Sequence, residues 1–204
     1  MARVVGFTEQ QNLTPVYRAD GTVAAGGTAQ LILPRAAPRS SILLQNTSAS
    51  DTLYFEFGCA RAKATVTNGK VTAITVTNAG FGFTYAPIVR FLGGGNASNG
   101  LDLGLGYPNQ NAPSDFAAAH CVMSGGAISS IVIDDPGAGY DCAPYVQILN
   151  DPNDNYGAAV PSASSGFKLA PGASLYQAYN VVTTDAIAVY GATTGDSWFC
   201  QYTT

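Results

Sequence analysis

Charge is scarce in this chain: only 11% of its 204 residues are Asp, Glu, Lys or Arg. That scarcity excludes a coiled coil and a solvated acidic or basic tail, and an aromatic content of 10% argues against a disordered chain. No apolar stretch reaches the eighteen residues a membrane helix needs. The N-terminus has no basic segment followed by a hydrophobic one, so neither a secretory leader nor a membrane partner is expected. The four cysteines, Cys59, Cys121, Cys142 and Cys200, show no C-x-x-C spacing, which argues against a zinc or redox site. A chain of this size without a leader is expected to be made in a reducing cytoplasm, with its cysteines free and mostly buried.

What is present is a β grammar in two separated blocks. In the first, Ile42, Leu43 and Leu44 precede a polar cluster from Asn46 to Asp51. Leu53, Phe55 and Phe57 then alternate with Tyr54 and Glu56. Period-two alternation places the apolar side chains on one face of a strand, and the polar cluster is expected to close a hairpin. The second block, residues 166–204, repeats the pattern with turns at Pro171-Gly172 and Thr194-Gly195-Asp196. Neither block can bury both of its faces alone. Together they predict about six short strands, a split β-sandwich or jelly roll over 29–60 plus 166–204, with a strand within Ala29–Leu33. Residues 1–28 have too little apolar surface to offset ordering entropy and are expected to form an extended arm.

The intervening residues, 61–165, read as an inserted β subdomain containing a duplication. Residues 62–91 align without gaps on 119–148 at a constant offset of 57. Gly69/Gly126, Ile74/Ile131, Gly80/Gly137, Gly82/Gly139 and Pro87/Pro144 are among the identical pairs. Such regularity marks a duplicated supersecondary unit. Each unit reads as strand, two-residue turn (Asn68-Gly69 or Gly125-Gly126), strand, G-x-G-aromatic corner, and a strand opened by Ala-Pro. Phe83 or Tyr140 is expected to pack back over its corner glycines. The Gly- and Asn-rich stretch 93–116 between the units is long enough to be a functional or exposed loop.

The charges are divided unevenly. Residues 1–90 carry eight bases against four acids, and 91–204 carry one base, Lys168, against nine acids, so +4 and −8 make the net −4. A soluble surface needs some charge of either sign. The sharper reading is a basic N-terminal side facing an acidic partner, with Arg3, Arg18, Arg35 and Arg39 as expected interface residues. Net negative charge without basic-aromatic clustering argues against nucleic acid as a partner.

Candidate chemistry is thin. His120, the only histidine, aligns with Lys63, which places both on a solvent face. No Gly-x-Ser-x-Gly elbow accompanies it, so Ser124 and nearby aspartates do not make a triad, and no catalytic residue is expected. Gly93–Gly95 lacks the following Gly-Lys-Ser/Thr of a phosphate loop. Asp151-Pro-Asn153-Asp-Asn155 begins like a calcium loop, but Tyr156 stands where glycine is required and Ser162 where the closing glutamate belongs, so a polar turn is expected. Neither a metal nor another cofactor is expected. Tyrosines and Trp198 would allow a sugar-binding face, although at strand positions aromatic rings more often belong to a core.

The string LLQN, the alternating LYFEFG, then LAPGASL, DAIAVYGATTG and a final aromatic strand together resemble a small β-sandwich module of tailed-bacteriophage virion structural proteins. The G-x-G-aromatic units also resemble repeats of phage tail and surface proteins. The resemblance covers roughly the outer half of the chain and carries no catalytic signature. It implies a non-enzymatic virion role, foremost a capsid decoration, or cement, protein: a homotrimer bound on the capsid surface to the major capsid protein. The alternative it leaves is a tail, collar or fibre component whose insert binds a host receptor or glycan. A third reading is an independent carbohydrate-binding module of a cellular enzyme.

Overall fold

The computed structural model describes residues 16–35, 38–95, 114–178 and 185–204. It is all-β, with no helix among the described residues. The expected arm overlaps residues 1–15, outside the described residues, and 16–28, where the structure differs. Val16–Thr22 form a strand, β1, paired antiparallel along its whole length with the last strand. Its apolar content is small, but the neighbouring strand supplies the ladder.

Seven further strands complete the framework: β2 (Gln30–Leu33), β3 (Ser41–Asn46), β4 (Leu53–Phe57), β11 (Phe167–Leu169), β12 (Ser174–Ala178), β13 (Ile187–Gly191) and β14 (Ser197–Thr203). They make two four-stranded sheets, ordered β1-β14-β3-β12 and β11-β4-β13-β2, with every pairing antiparallel. Eight strands in that order are a jelly roll: the six or so expected from the two blocks, the one expected within Ala29–Leu33, and β1. Ile42, Leu44, Trp198 and Cys200 from one sheet meet Leu53, Phe55, Ile187 and Val189 from the other, all buried.

The polar cluster at 46–51 does not close a hairpin. β3 and β4 belong to different sheets, and the chain crosses the core between them. Asn46, fully buried, holds that crossing: its amide nitrogen donates to the carbonyls of Asp51 and Leu169, at 2.8 and 2.9 Å. Alternation shows which residues of a strand face inward, and says nothing about which sheet receives them.

Only one connection in the framework joins hydrogen-bonded neighbours: β4 and β11, where Phe55 pairs with Phe167 and Leu53 with Leu169. The insert occupies the tip of that hairpin. It contains β5 (Arg61–Thr67), β6 (Lys70–Asn78), β7 (Ile88–Leu92), β8 (Ala118–Ser124), β9 (Ala127–Asp135) and β10 (Tyr145–Leu149). β5-β6 and β8-β9 are the two repeat hairpins, with register shifts at Arg61/Ala62 and Thr65/Val66 in one and at the equivalent Ala118/Ala119 and Val122/Met123 in the other. Both turns have positive φ at both central residues, Asn68 (52°) and Gly69 (73°), Gly125 (57°) and Gly126 (76°), as a tight hairpin with the sheet's twist requires.

The repeats are related by an approximate two-fold axis. β7 pairs with β10 so that Arg90 faces Gln147, its equivalent at offset 57. Phe83 donates to the carbonyl of Gly126 (3.0 Å) and Tyr140 to that of Gly69 (3.1 Å). Val71 donates to Pro136 and Ile128 to Ala79 in the same reciprocal way. Each hairpin turn therefore docks on the other repeat's corner. One core, including Val71, Phe83, Phe91, Ile128, Tyr140, Val146 and Ile148, is shared by both units. Phe83 and Tyr140 do pack over Gly80 and Gly137 respectively.

The insert is fastened to the framework where it leaves it. Gly58 donates to Ala186 and Ala159 to Gly58, while Ala158, Ala186 and Ala188 are buried together beside Leu31 and Phe81. This covers part of the outer face of the β11-β4-β13-β2 sheet.

Candidate functional site

On the outward face of the insert, strands β7 and β10 display alternate residues: Ile88, Arg90 and Leu92 from one, Tyr145, Gln147 and Leu149 from the other. β8 joins beside β7 through the pair Ile88 and His120, and β5 lies along β10 in the equivalent place. The two halves of this face descend from the same duplication, and their residues have diverged.

In the second repeat, His120 Nδ1 lies 2.8 Å from a carboxylate oxygen of Asp134, both side chains being about half exposed. The equivalents in the first repeat are Lys63 and Thr77, a cation without an acidic neighbour in the matching position. Likewise Arg61 stands where the second repeat has Ala118, and Tyr145 where the first has Ile88. One half is basic and aromatic. The other has its own counter-charge.

The basic half borders the framework, and a groove of about 610 Å³ runs along the junction, within the range of ligand sites. Arg35, Arg61, Lys63 and Arg90 line it, against one lining carboxylate, Asp185. Arg61 is engaged by the buried carboxylate of Glu56. Lys63 and Arg90 are exposed and make no ion pair among the described residues. Tyr145, 66% exposed, and Gln147 supply an aromatic face and an amide.

The three expected interface residues that are described do not come together. Arg3 lies outside the described residues. Arg18 is exposed on β1, and Arg35 is exposed at the groove. Arg39 is only 5% exposed. It donates to the carbonyls of Asp185 (2.9 Å) and Pro34 (2.7 Å) and lies over the ring of Tyr202, which stacks on Tyr17. Burial lowers its pKa below the ordinary arginine value, partly offset by the charges around it. It braces one end of the jelly roll and is not a surface contact.

The Asp151–Asn155 segment is a turn with a structural duty. Asp154 is buried and its Oδ2 accepts from Thr84 (2.7 Å) and Tyr85 (3.2 Å), while Oδ1 accepts from Tyr156 (3.0 Å). At the other corner, the same backbone positions, Asp141 and Cys142, donate to the carbonyl of Gly94. Each third strand's exit loop thus braces the opposite repeat. Among the described residues no three His, Cys, Asp or Glu side chains gather as metal ligands would.

All four thiols are free. Cys121 and Cys200 are buried and Cys59 is half-buried, in line with the expected burial of most of the set; Cys142 is the exposed exception. Desolvation pushes Cys59 and Cys200 up to about 12 and Cys121 to about 11. A thiol so shifted is a poor nucleophile.

The groove was not legible beforehand because its cations come from separated segments. The available signal was the comparison of repeat positions: Lys63 with His120, and Thr77 with Asp134. No known protein family, curated protein or solved structure matches the chain.

Proposed function

We propose that this chain is a non-enzymatic structural protein of a tailed-phage particle, a capsid decoration protein bound to the major capsid protein as a trimer. The observation that carries this reading is the placement of the insert: a duplicated β module set on a hairpin tip of a jelly roll and fastened there by backbone hydrogen bonds and a buried alanine cluster. Jelly rolls recur in viral shells and lectins, which supports the reading without fixing it. One sheet's outer face is partly covered by the insert, leaving the β1-β14-β3-β12 face, with Arg18, Tyr176 (65% exposed) and Val16, to meet the shell. The insert then projects.

The test is the copy number of this chain relative to the major capsid protein in purified particles, by quantitative mass spectrometry. A ratio near one is the expected result. A ratio far below one overturns the shell-covering role and favours a tail, collar or fibre component. The groove and its exposed Tyr145 are the specific observations that favour that second reading.

A further inference from the structure

The two halves of the insert face began as copies, so their differences locate what was built after the duplication. On the half away from the framework, His120 is matched by Asp134. On the half at the junction, the neutral Thr77 stands in the place of Asp134 near Lys63, and Arg61, Arg90 and Arg35 join Lys63 around Tyr145 and Gln147. Like charges gathered on one wall repel one another, the acids Glu56 and Asp185 offset only part of the excess, and an anionic ligand would be attracted to what remains. The concavity, the exposed aromatic ring and the excess positive charge coincide at one place. We propose that this groove binds an acidic oligosaccharide, with a pyranose ring lying on Tyr145 and its carboxylate or sulfate held by Arg90 and Lys63.

The floor of the groove decides between a sugar and an acidic peptide. β7 is paired on both sides, by β10 and β8, whereas β10 is the edge of that sheet, with β5 of the separate β5-β6 hairpin lying close beside it. A peptide laid across the sheet face meets side chains rather than ladder groups, and β5 lies too close to the edge of β10 for another strand to enter between them, so its backbone donors and acceptors stay without ladder partners. A sugar carries its polar groups on its rim and an apolar face beneath, which suits side-chain recognition by a ring, an amide and cations. Arg90 offers a planar fork that matches a carboxylate, and Gln147 opposite it supplies both a donor and an acceptor for hydroxyls. Tyr145 is accessible without any movement of the chain. The inference goes beyond the decoration reading, and it holds or fails whether or not the chain coats a capsid.

The test is calorimetric titration of the full chain with oligogalacturonate, a short dextran sulfate, neutral dextran and polyglutamate, at low and physiological salt. The expected result is binding of one or both acidic sugars and none of neutral dextran. Tyr145→Ala and Arg90→Gln should each weaken binding about tenfold, the cost of losing a stacked ring or a charge-assisted pair. Thr77→Asp, which restores the second repeat's counter-charge beside Lys63, should weaken it as well. Lys70→Gln, an exposed cation outside the groove, should leave it unchanged. The altered residues are exposed or at the groove surface, and an unchanged thermal midpoint confirms folding. The proposal is overturned if neither acidic sugar binds, if Lys70→Gln costs as much as Arg90→Gln, or if polyglutamate binds more tightly than the sugars.

Discussion

Oδ2 of Asp154 accepts the backbone N–H of Thr84 at 2.7 Å across seventy residues of chain, and so ties the exit loop of the second repeat to the corner of the first. Burial alone would raise this carboxyl's pKa. The backbone donors of Tyr156, Tyr85, Thr84 and Gly157 outweigh it, and the pKa is lowered from the ordinary 3.8. A carboxyl with a depressed native pKa stabilises the fold above its unfolded value, and that stabilisation is lost as pH falls through the native value. Asp154→Asn places an amide donor among backbone donors and should cost about 1–3 kcal/mol at neutral pH. Urea midpoints should show the gap between wild type and variant narrowing below pH 3.8. An equal gap at neutral and acid pH would show that the ionised form is not what matters.

Trp198, the only tryptophan, reports on the jelly roll alone. It lies across Gly21 of β1, where a methyl group would come within 2.8 Å of Cζ2. Gly21→Ala should displace the ring, shift its emission to longer wavelength and destabilise the framework by about 1–3 kcal/mol through overpacking. A native spectrum with unchanged stability would mean that β1 does not seat against Trp198.

These two sites show where reading the chain succeeded and where it could not. The repeats were legible because turns and corners have strict backbone demands: Gly69, Gly80, Gly82 and their equivalents at 126, 137 and 139 all have positive φ. Period-two alternation correctly made Leu53 and Phe55 core residues. It could not reveal that β3 and β4 sit in opposite sheets, because facing is local and pairing is not. β1 escaped notice for a similar reason, since Val16–Thr22 gain their order from the ladder with β14 rather than from their own side chains. Arg39 looked like a surface cation, because nothing in its sequence neighbourhood announces the carbonyls of Asp185 and Pro34 that bury it.

The thiols should react in two classes. Cys142 is exposed, whereas Cys59, Cys121 and Cys200 are held protonated by desolvation, at about 12, 11 and 12. A thiol reagent at mildly alkaline pH should therefore modify one equivalent rapidly and three more only on unfolding. Cys142→Ser should abolish the rapid phase. More than one rapid equivalent in the native protein would contradict the burial of the others.

The strongest test of the architecture is to remove the insert. Leu53 pairs with Leu169 and Phe55 with Phe167, so β4 and β11 already stand as hairpin neighbours, and Phe57 rests edge-on against Phe167 with ring centroids 5.2 Å apart. Continuing the register brings Phe57 opposite Ser165. Replacing residues 58–164 with Asn-Gly would then close the hairpin with the tight turn that suits the sheet's twist. None of the buried core side chains of the jelly roll comes from the insert, so the shortened chain should fold cooperatively with native Trp198 emission. It should also be less stable than the full chain, because Ala186 and Ala188, now covered beside Ala158, would face solvent and the bonds at Gly58 would be gone. The measurement is the tryptophan-monitored urea transition. If the shortened chain fails to fold, and adapting the uncovered strand to solvent with the polar, strand-favouring Ala188→Thr does not rescue it, the jelly roll depends on its insert, and the two share one folding unit rather than a framework carrying a graft.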